Sequence, residues 1–112
     1  MQLIMAVIRP FKLADVCAAL APLDVREMTV EEVKGFGRQQ GLTELYRGAE
    51  CQVHFLPEMK ISLVVADDLA GPVVAAVARG ARTGRIGDGK VFALETLRAV
   101  RIRTGETGPD AL

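Results

Sequence analysis

The chain is predicted to fold as a single α+β domain, residues 1–112, whose strands and helices follow the order βαββαβ. Four short segments rich in apolar and β-branched residues predict the strands, and two amphipathic patterns predict the helices. This split-βαβ order is typical of a ferredoxin-like domain, with an antiparallel four-stranded sheet and two helices on one face.

The N-terminal part supplies the first strand and the first helix. Leu3–Ile8 is a continuous apolar run that ends at Arg9 and Pro10, which predicts a strand. One helix face then recurs at the spacing i, i+3, i+4, i+7, at Leu13, Val16, Cys17 and Leu20. This spacing predicts that the Cys17 thiol packs in the core.

The remaining elements follow from the same kinds of pattern. Val25–Val33 is β-branched with one polar side, and Lys60–Ala66 is apolar, so both read as strands. Asp67 or Asp68 can cap the second helix. The inner face of that helix is predicted to be Leu69, Val73, Val77 and Ala81. Val91–Arg103 has the pattern of one long strand with a turn inside it, and residues 106–112 are expected to form a loose tail.

Bulk composition excludes several classes of function. The 14 basic and 14 acidic residues balance, so no general attraction to nucleic acid or to an anionic membrane is implied. Two cysteines are too few for a disulfide framework and fit a reducing, cytoplasmic compartment. No apolar run reaches the length of a membrane span, and no signal peptide is evident.

The predicted sheet is apolar on both of its faces. In Leu3–Ile8, Ile61–Ala66 and Val91–Leu94, both alternating sets of side chains are apolar. Two helices can cover only one face. Other copies of the chain are the simplest cover for the second face, which predicts a homo-oligomer. The alternative is that the long middle segment folds over it, although that segment is polar.

A glycine-rich segment, Thr83–Lys90, connects the second helix to the last strand. It contains three glycines in six residues, together with Arg85 and Lys90 on either side of Asp88. Glycines let backbone amides approach a ligand closely, and exposed amides beside cations form an anion cradle. The segment matches neither common nucleotide-loop motif. It therefore reads as a phosphate-binding loop or as an ordinary flexible turn.

A middle segment, about residues 37–55, shows little periodicity of either kind. A stretch of this length inside a compact domain indicates function or disorder, and its interspersed apolar residues favour docking onto a partner. It also contains Cys51 and His54, near Glu50 and Glu58. These permit a zinc or copper site, a redox-active or modifiable thiol, or drift at a contact position.

Four stretches together resemble the PII signal-transduction family of nitrogen regulation, from Met1 to about Gly105. They are Glu32–Gln39, Thr43–Glu50, Thr83–Phe92 and Arg101–Gly105. The resemblance implies a homotrimer of ferredoxin-like subunits that binds ATP or ADP in the clefts between subunits. It also implies that the long loop docks onto ammonium channels, kinases or metabolic enzymes. The family is not primarily catalytic, and its only membrane association would come through a channel partner.

The resemblance also implies the residues of the nucleotide site. They are Thr29, Gly35, Gly37, Arg38, Gln39, Val64, Gly87, Asp88, Gly89, Lys90, Arg101 and Arg103. Gln39 would hold magnesium, and only beside a bound effector. Arg101 and Arg103, two apart on the predicted strand, would share one face and pair with phosphate oxygens. Asp88 would orient the loop or meet Arg38 or the ribose.

The chain departs from the family pattern at four positions. Cys51 replaces the usual tyrosine, so no nucleotidyl modification is expected there. Glu58 replaces the usual lysine that pairs with the carboxylate of 2-oxoglutarate, so binding of that acid is expected to be weakened or lost. Gln40 and Ser62 stand where lysine and glutamate are usual.

Three other functions remain to be distinguished. The same fold could carry a slow ATPase or another hydrolase, although the sole histidine lies in the middle segment and general bases are few. An RNA-binding module uses the same strand order but stacks bases on sheet aromatics, which Leu3–Ile8 and Ile61–Ala66 lack. A PII-like protein that senses a different anion or a metal is the third alternative, motivated by Cys51 and Glu58.

Overall fold

The computed structural model describes residues 1–37 and 55–112. The strands are β1 (Gln2–Ile8), β2 (Thr29–Gly35), β3 (Leu56–Val65) and β4 (Lys90–Glu95), and the helices are α1 (Leu13–Leu20) and α2 (Asp67–Ala81). The strands form one sheet in the order β2-β3-β1-β4, and each neighbouring pair is antiparallel. The predicted ferredoxin-like βαββαβ fold is confirmed.

Strand β1 lies inside the sheet because its residues are apolar on both sides. Ile4, Ala6 and Ile8 are buried, and their neighbours in the chain are half-buried. Ala6 pairs with Ile61 of β3 and with Val91 of β4, so these side chains share the face that the helices cover. The result is one hydrophobic core between the sheet and the two helices.

The two helices pack closely on each other. A Cβ atom on Gly80 of α2 would lie 2.9 Å from the Cα of Val16 in α1, so only glycine permits this approach. Val16 and Leu20 are the buried residues of α1. The prediction that Cys17 packs in the core is wrong, because its side chain is exposed. Helix α1 has only eight residues, and it buries Val16 and Leu20 rather than all four residues of the i, i+3, i+4, i+7 pattern.

Helix α2 differs from the prediction at its start. Its N-cap is Ala66, without a side-chain cap, and Asp67 is already helical. The Asp67 carboxylate instead accepts a hydrogen bond from the amino group of Met1 at 2.8 Å. On the inner face, Leu69 is only half-buried. The buried residues of α2 are Ala70, Val73, Ala76, Val77 and Ala81.

The predicted strand Val91–Arg103 is too long. Strand β4 ends at Glu95, and beyond it only an isolated bridge between Val100 and Thr107 remains. The chain reverses here because the amide of Gly105, at φ +74°, donates to the carbonyl of Arg101 at 2.8 Å. The segment predicted as a tail, residues 106–112, contains a 3₁₀ helix over Gly108–Ala111. The other strand predictions are offset: β2 begins later and β3 earlier than expected.

The second face of the sheet is covered by neither helix. Phe92 and Leu94 of β4 point to this face and are 44% and 46% exposed. Leu3, Met5 and Val7 of β1 lie beside them and are only half-buried. None of the helices in the described ranges is long and apolar enough to cross a membrane.

Candidate functional site

The glycine-rich loop between α2 and β4 is organised by the carboxylate of Asp88. This carboxylate accepts hydrogen bonds from the amides of Thr83 and Gly84, at 2.8 and 2.9 Å, and from the Thr83 hydroxyl. Arg9 Nε donates to it at 3.2 Å. The Thr83 hydroxyl, followed by these amides and Arg9, holds the pKa of Asp88 well below its usual range. Asp88 is therefore an anion whose hydrogen bonds join the start of the loop to its end.

Two glycines of this loop are required by its geometry. Gly89 has φ +91°, and a Cβ there would lie 1.7 Å from the carbonyl oxygen of Val7. Gly87 has φ +101°, a region that L side chains rarely adopt. The loop therefore passes directly over the end of β1, and both Gly87 and Gly89 are exposed. A loop fixed in this way can present backbone amides to an anion.

Lys90 begins β4 next to this loop. It pairs with Val7 of β1, so its side chain belongs to the face of the sheet that the helices leave open. The residue is exposed. Asp88, Gly89 and Lys90 line a small cavity of about 170 Å³ together with the ends of β1 and α2.

Thr29 and Val64 line a different and larger cavity, of about 580 Å³. Ser62 contributes to it, and Pro109 and Leu112 of the C-terminal segment close one side. This cavity shares no lining residue with the cavity at Lys90. Thr29 and Val64 therefore line one cavity and Lys90 the other, although all three belong to the face of the sheet that the helices leave open.

The prediction that Arg101 and Arg103 share one strand face is wrong, because the chain turns at this point. The guanidinium of Arg101 donates to the main-chain oxygens of Leu112 at 3.1 Å and Ala111 at 3.5 Å. It also lies 3.5 Å from a carboxylate oxygen of Glu106. Arg103 lies exposed in the turn itself.

Two further predicted residues, Gly35 and Gly37, lie at the end of β2 and just beyond it. Gly35 is the last residue of this strand, and the Glu58 carboxylate lies against it: a Cβ on Gly35 would be 2.0 Å from Glu58 Oε2. Gly37 is exposed, with open space at its Cβ position. The other calls in this region, Arg38, Gln39, Gln40, Cys51 and His54, lie outside the described residues. The rings of Phe36 and Phe55 contact each other edge to face, with their centroids 6.5 Å apart.

Sequence reasoning missed the roles of two residues, Thr83 in the loop and Arg9 directly after β1. Both contact Asp88. The signal for Thr83 was its place in the same short loop as Asp88, because Thr and Asp side chains commonly hydrogen-bond to nearby groups of a loop. Arg9 lies 79 residues from Asp88 in the chain. The only indication of this role in the sequence is that Arg9 is a cation directly after an apolar strand.

In residues 1–37 and 55–112, no three His, Cys, Asp or Glu side chains are grouped so as to hold a metal ion. The proposed pair Cys51 and His54 is outside these ranges.

The fold and the loop define a class of protein: a small ferredoxin-like domain with a hydrogen-bonded, glycine-rich turn at one end of its sheet and a long segment between β2 and β3. A family model described as "Nitrogen regulatory protein P-II" matches residues 1–106. The chain belongs to this family of nitrogen-regulatory signalling proteins, and the resemblance seen in its motifs is confirmed.

Relatives in several bacteria match over their whole length. The "Nitrogen regulatory protein P-II" of Klebsiella oxytoca is 55% identical over 112 residues, which is 100% of both chains. The "Nitrogen regulatory protein P-II 1" of Escherichia coli K12 has the same identity and coverage. The P-II protein of Rhizobium etli is 53% identical, again over 100% of both chains.

Proposed function

We propose that this chain is an adenine-nucleotide sensor that assembles as a homotrimer and regulates a target protein in nitrogen control. The target would be an ammonium channel, another transporter, a kinase or a metabolic enzyme, and the segment of about residues 37–55 would dock onto it. The single observation that carries the proposal is the glycine-rich loop, whose backbone is fixed by the Asp88 hydrogen bonds beside the exposed Lys90.

The loop has the chemistry that phosphate binding needs. The amides of Gly87 and Gly89 would donate to phosphate oxygens, and Lys90 would neutralise their charge. Asp88 is the one carboxylate in the loop, and its oxygens already accept hydrogen bonds from Thr83, Gly84 and Arg9. Because this carboxylate is engaged inside the loop, it need not oppose an incoming anion.

A second copy of the chain would complete the site. The cavity at Thr29 and Val64 and the cavity at Lys90 are separate within one chain, and the apolar face of the sheet beside them lacks a cover. Docking another copy on that face would bury Phe92 and Leu94. Arg101 and Arg103 would then contribute from one subunit to a cleft shared with the next. A closed ring of three such contacts agrees with the family.

The 2-oxoglutarate response is proposed to be weakened or lost. Glu58 places a carboxylate against Gly35, at the root of the docking segment. Two like charges in contact repel by about 4 kcal/mol at an effective dielectric of 20. Gln39 would still be available for magnesium beside ATP or ADP, but the cationic partner for the keto acid is absent.

The protein is proposed to act as a cytoplasmic regulator and not as an enzyme. Any contact with a membrane would come through a channel partner. Cys51, in place of tyrosine, is not expected to carry a nucleotidyl group. The described residues hold no histidine that could serve as a general base near Lys90.

Calorimetry with ATP and ADP tests the nucleotide site. We expect Lys90→Gln to weaken ATP binding by about tenfold or more, because charge-assisted hydrogen bonds contribute about 1.5–3 kcal/mol. Arg79→Gln is the matched control, since Arg79 is an exposed cation in the last turn of α2 that lines neither of the two cavities. Light scattering on the same samples should give the mass of a trimer. A wild-type protein that binds neither nucleotide at millimolar concentration would refute the proposal.

A further inference from the structure

We propose that Arg9 is a positioning residue for phosphate binding: its guanidinium connects the end of β1 to both sides of the glycine-rich loop and so fixes the amides that face the ligand. This inference rests on the proposed nucleotide function of that loop. It assigns a role to a side chain outside the loop, which reaches it only through the fold.

Arg9 contacts the loop at two points. Its Nε atom donates to Asp88 Oδ1 at 3.2 Å, and its Nη2 atom donates to the carbonyl oxygen of Ile86 at 2.6 Å. These two acceptors stand on either side of Gly87 in the chain. The guanidinium therefore spans the part of the loop in which Gly87 holds its positive φ.

The backbone of Gly87 lies directly against this guanidinium. A Cβ on Gly87 would be 3.2 Å from Arg9 Nη2 and 3.5 Å from its Cζ. The Cζ of Arg9 also stands over the Phe11 ring, 6.0 Å from its centroid. Arg9 thus lies near both the ring and the loop, with 27% of its side chain exposed. A side chain held in this way limits the conformations available to the loop before a ligand arrives.

Arg9 also offsets the negative charge that Asp88 brings to the loop. Asp88 organises the loop as an anion, which by itself would repel a phosphate. The ion pair with Arg9 offsets that charge, so the loop keeps the positive charges of Arg85 and Lys90, which form no ion pair with any described residue. The same guanidinium thereby serves both the shape of the cradle and its electrostatics.

Lysine could supply the charge of Arg9 but not its geometry. A guanidinium presents several N–H donors in a rigid plane, which lets one side chain reach Asp88 and the Ile86 carbonyl at the same time. An ammonium group is a point charge on a flexible stem. Comparing the two substitutions therefore separates the contribution of charge from that of loop positioning.

The test is calorimetry with ATP on the full chain carrying Arg9→Lys, Arg9→Gln, Asp88→Asn and the Arg9→Gln/Asp88→Asn pair. Arg79→Gln is the control for loss of one exposed cation. We expect Arg9→Gln to weaken ATP binding at least tenfold and Arg9→Lys to lie between it and the wild type. In the Asp88→Asn background the cost of Arg9→Gln should be at least threefold smaller, because one of its two acceptors is changed.

Thermal unfolding and light scattering on each variant separate binding from folding. If Arg9→Gln fails to fold, Arg9→Lys alone decides, and ATP binding equal to the wild type would overturn the inference. An Arg9→Gln cost that is the same with and without Asp88 would also overturn it. If Lys90→Gln weakens ATP binding while both Arg9 variants bind normally, only this inference fails. If the wild type binds no nucleotide, the proposed function fails with it.

Discussion

The carboxylate of Glu58 covers the α-carbon of Gly35 on the face of the sheet opposite the helices, so closely that a Cβ on Gly35 would lie 2.0 Å from Glu58 Oε2. Glu58 pairs with Val33 across the β2–β3 ladder, which makes Gly35 its diagonal neighbour. The contact places a negative charge at the point where β2 leads into the segment proposed to dock. In the family pattern, a lysine at position 58 would offer the opposite charge there.

The substitution Glu58→Lys is expected to create 2-oxoglutarate binding. It replaces a repulsion with an attraction at the same position, so the affinity for the keto acid in the presence of ATP and magnesium should rise by at least tenfold. Isothermal calorimetry measures this directly. ATP affinity in the absence of the keto acid should change by less.

Glu58→Gln is the matched control for this change, because it removes the negative charge without adding a positive one. Its 2-oxoglutarate affinity should fall between those of the wild type and Glu58→Lys. Micromolar binding of the keto acid by the wild type would contradict the electrostatic argument.

Alanine substitutions at two glycines of the loop, Gly84 and Gly89, allow the energetic cost of backbone strain to be separated from that of a steric clash. Both have positive φ, at +83° and +91°. Gly84 faces open space, whereas a Cβ on Gly89 would lie 1.7 Å from the Val7 carbonyl oxygen. We expect Gly84→Ala to cost about 1–3 kcal/mol of unfolding free energy from the backbone alone. Gly89→Ala should cost clearly more, since the fixed backbone of β1 cannot move away.

Urea unfolding followed by circular dichroism measures both changes. Equal losses for Gly84→Ala and Gly89→Ala would show that the close approach to Val7 does not matter.

Periodicity was enough to predict the fold because each element carries its own local signal. The apolar run of β1 buries Ile4, Ala6 and Ile8. The helical stripe of α2 buries Val73, Val77 and Ala81 as predicted and leaves Leu69 half-buried. The end of β4 was misjudged because residues 97–103 keep a strand-like composition while the turn closed by Gly105 redirects the chain. Cys17 was misplaced because the pattern gives a helix face but not the width of the stripe that the sheet covers.

Only the part of the candidate site that lies within one short stretch of sequence could be predicted. The glycines of the loop and Lys90 predict an anion-binding loop from eight residues of sequence, and this stays a prediction. Arg9 comes from the other end of the chain, and only the pairing of β1 with β4 brings it to Asp88. The conformation of Arg101 depends likewise on where the C-terminal segment folds, which no local pattern determines.

The pH dependence of stability should report the hydrogen bonds to Asp88. These bonds lower the pKa of Asp88 in the folded protein below its unfolded value of about 3.9. A group of this kind stabilises the fold above its unfolded pKa, and the stabilisation is lost as the pH falls toward the folded pKa. The difference in unfolding free energy between wild type and Asp88→Asn should therefore be constant from about pH 5 to 8 and shrink below about pH 4.

Urea unfolding at a series of pH values gives this difference. Glu95→Gln serves as the control, since the Glu95 carboxylate makes no hydrogen bond or ion pair within the described ranges. A wild-type advantage over Asp88→Asn that stays unchanged down to pH 2 would argue against the ionised carboxylate as its source.

The C-terminal segment should depend on Arg101 for its order. The Arg101 guanidinium donates to the main-chain oxygens of Ala111 and Leu112, and the amide of Gly108 donates to the Ala99 carbonyl at 3.0 Å. Each hydrogen bond contributes about 0.5–1.5 kcal/mol net, so Arg101→Ala should speed hydrogen exchange at the Gly108 and Leu112 amides roughly three- to tenfold. Arg103→Ala is the control, because Arg103 makes no hydrogen bond or ion pair with any residue that the structure describes. Mass spectrometry of exchanged peptides distinguishes the two variants, and equal exchange in both would mean that Arg101 does not hold the segment in place.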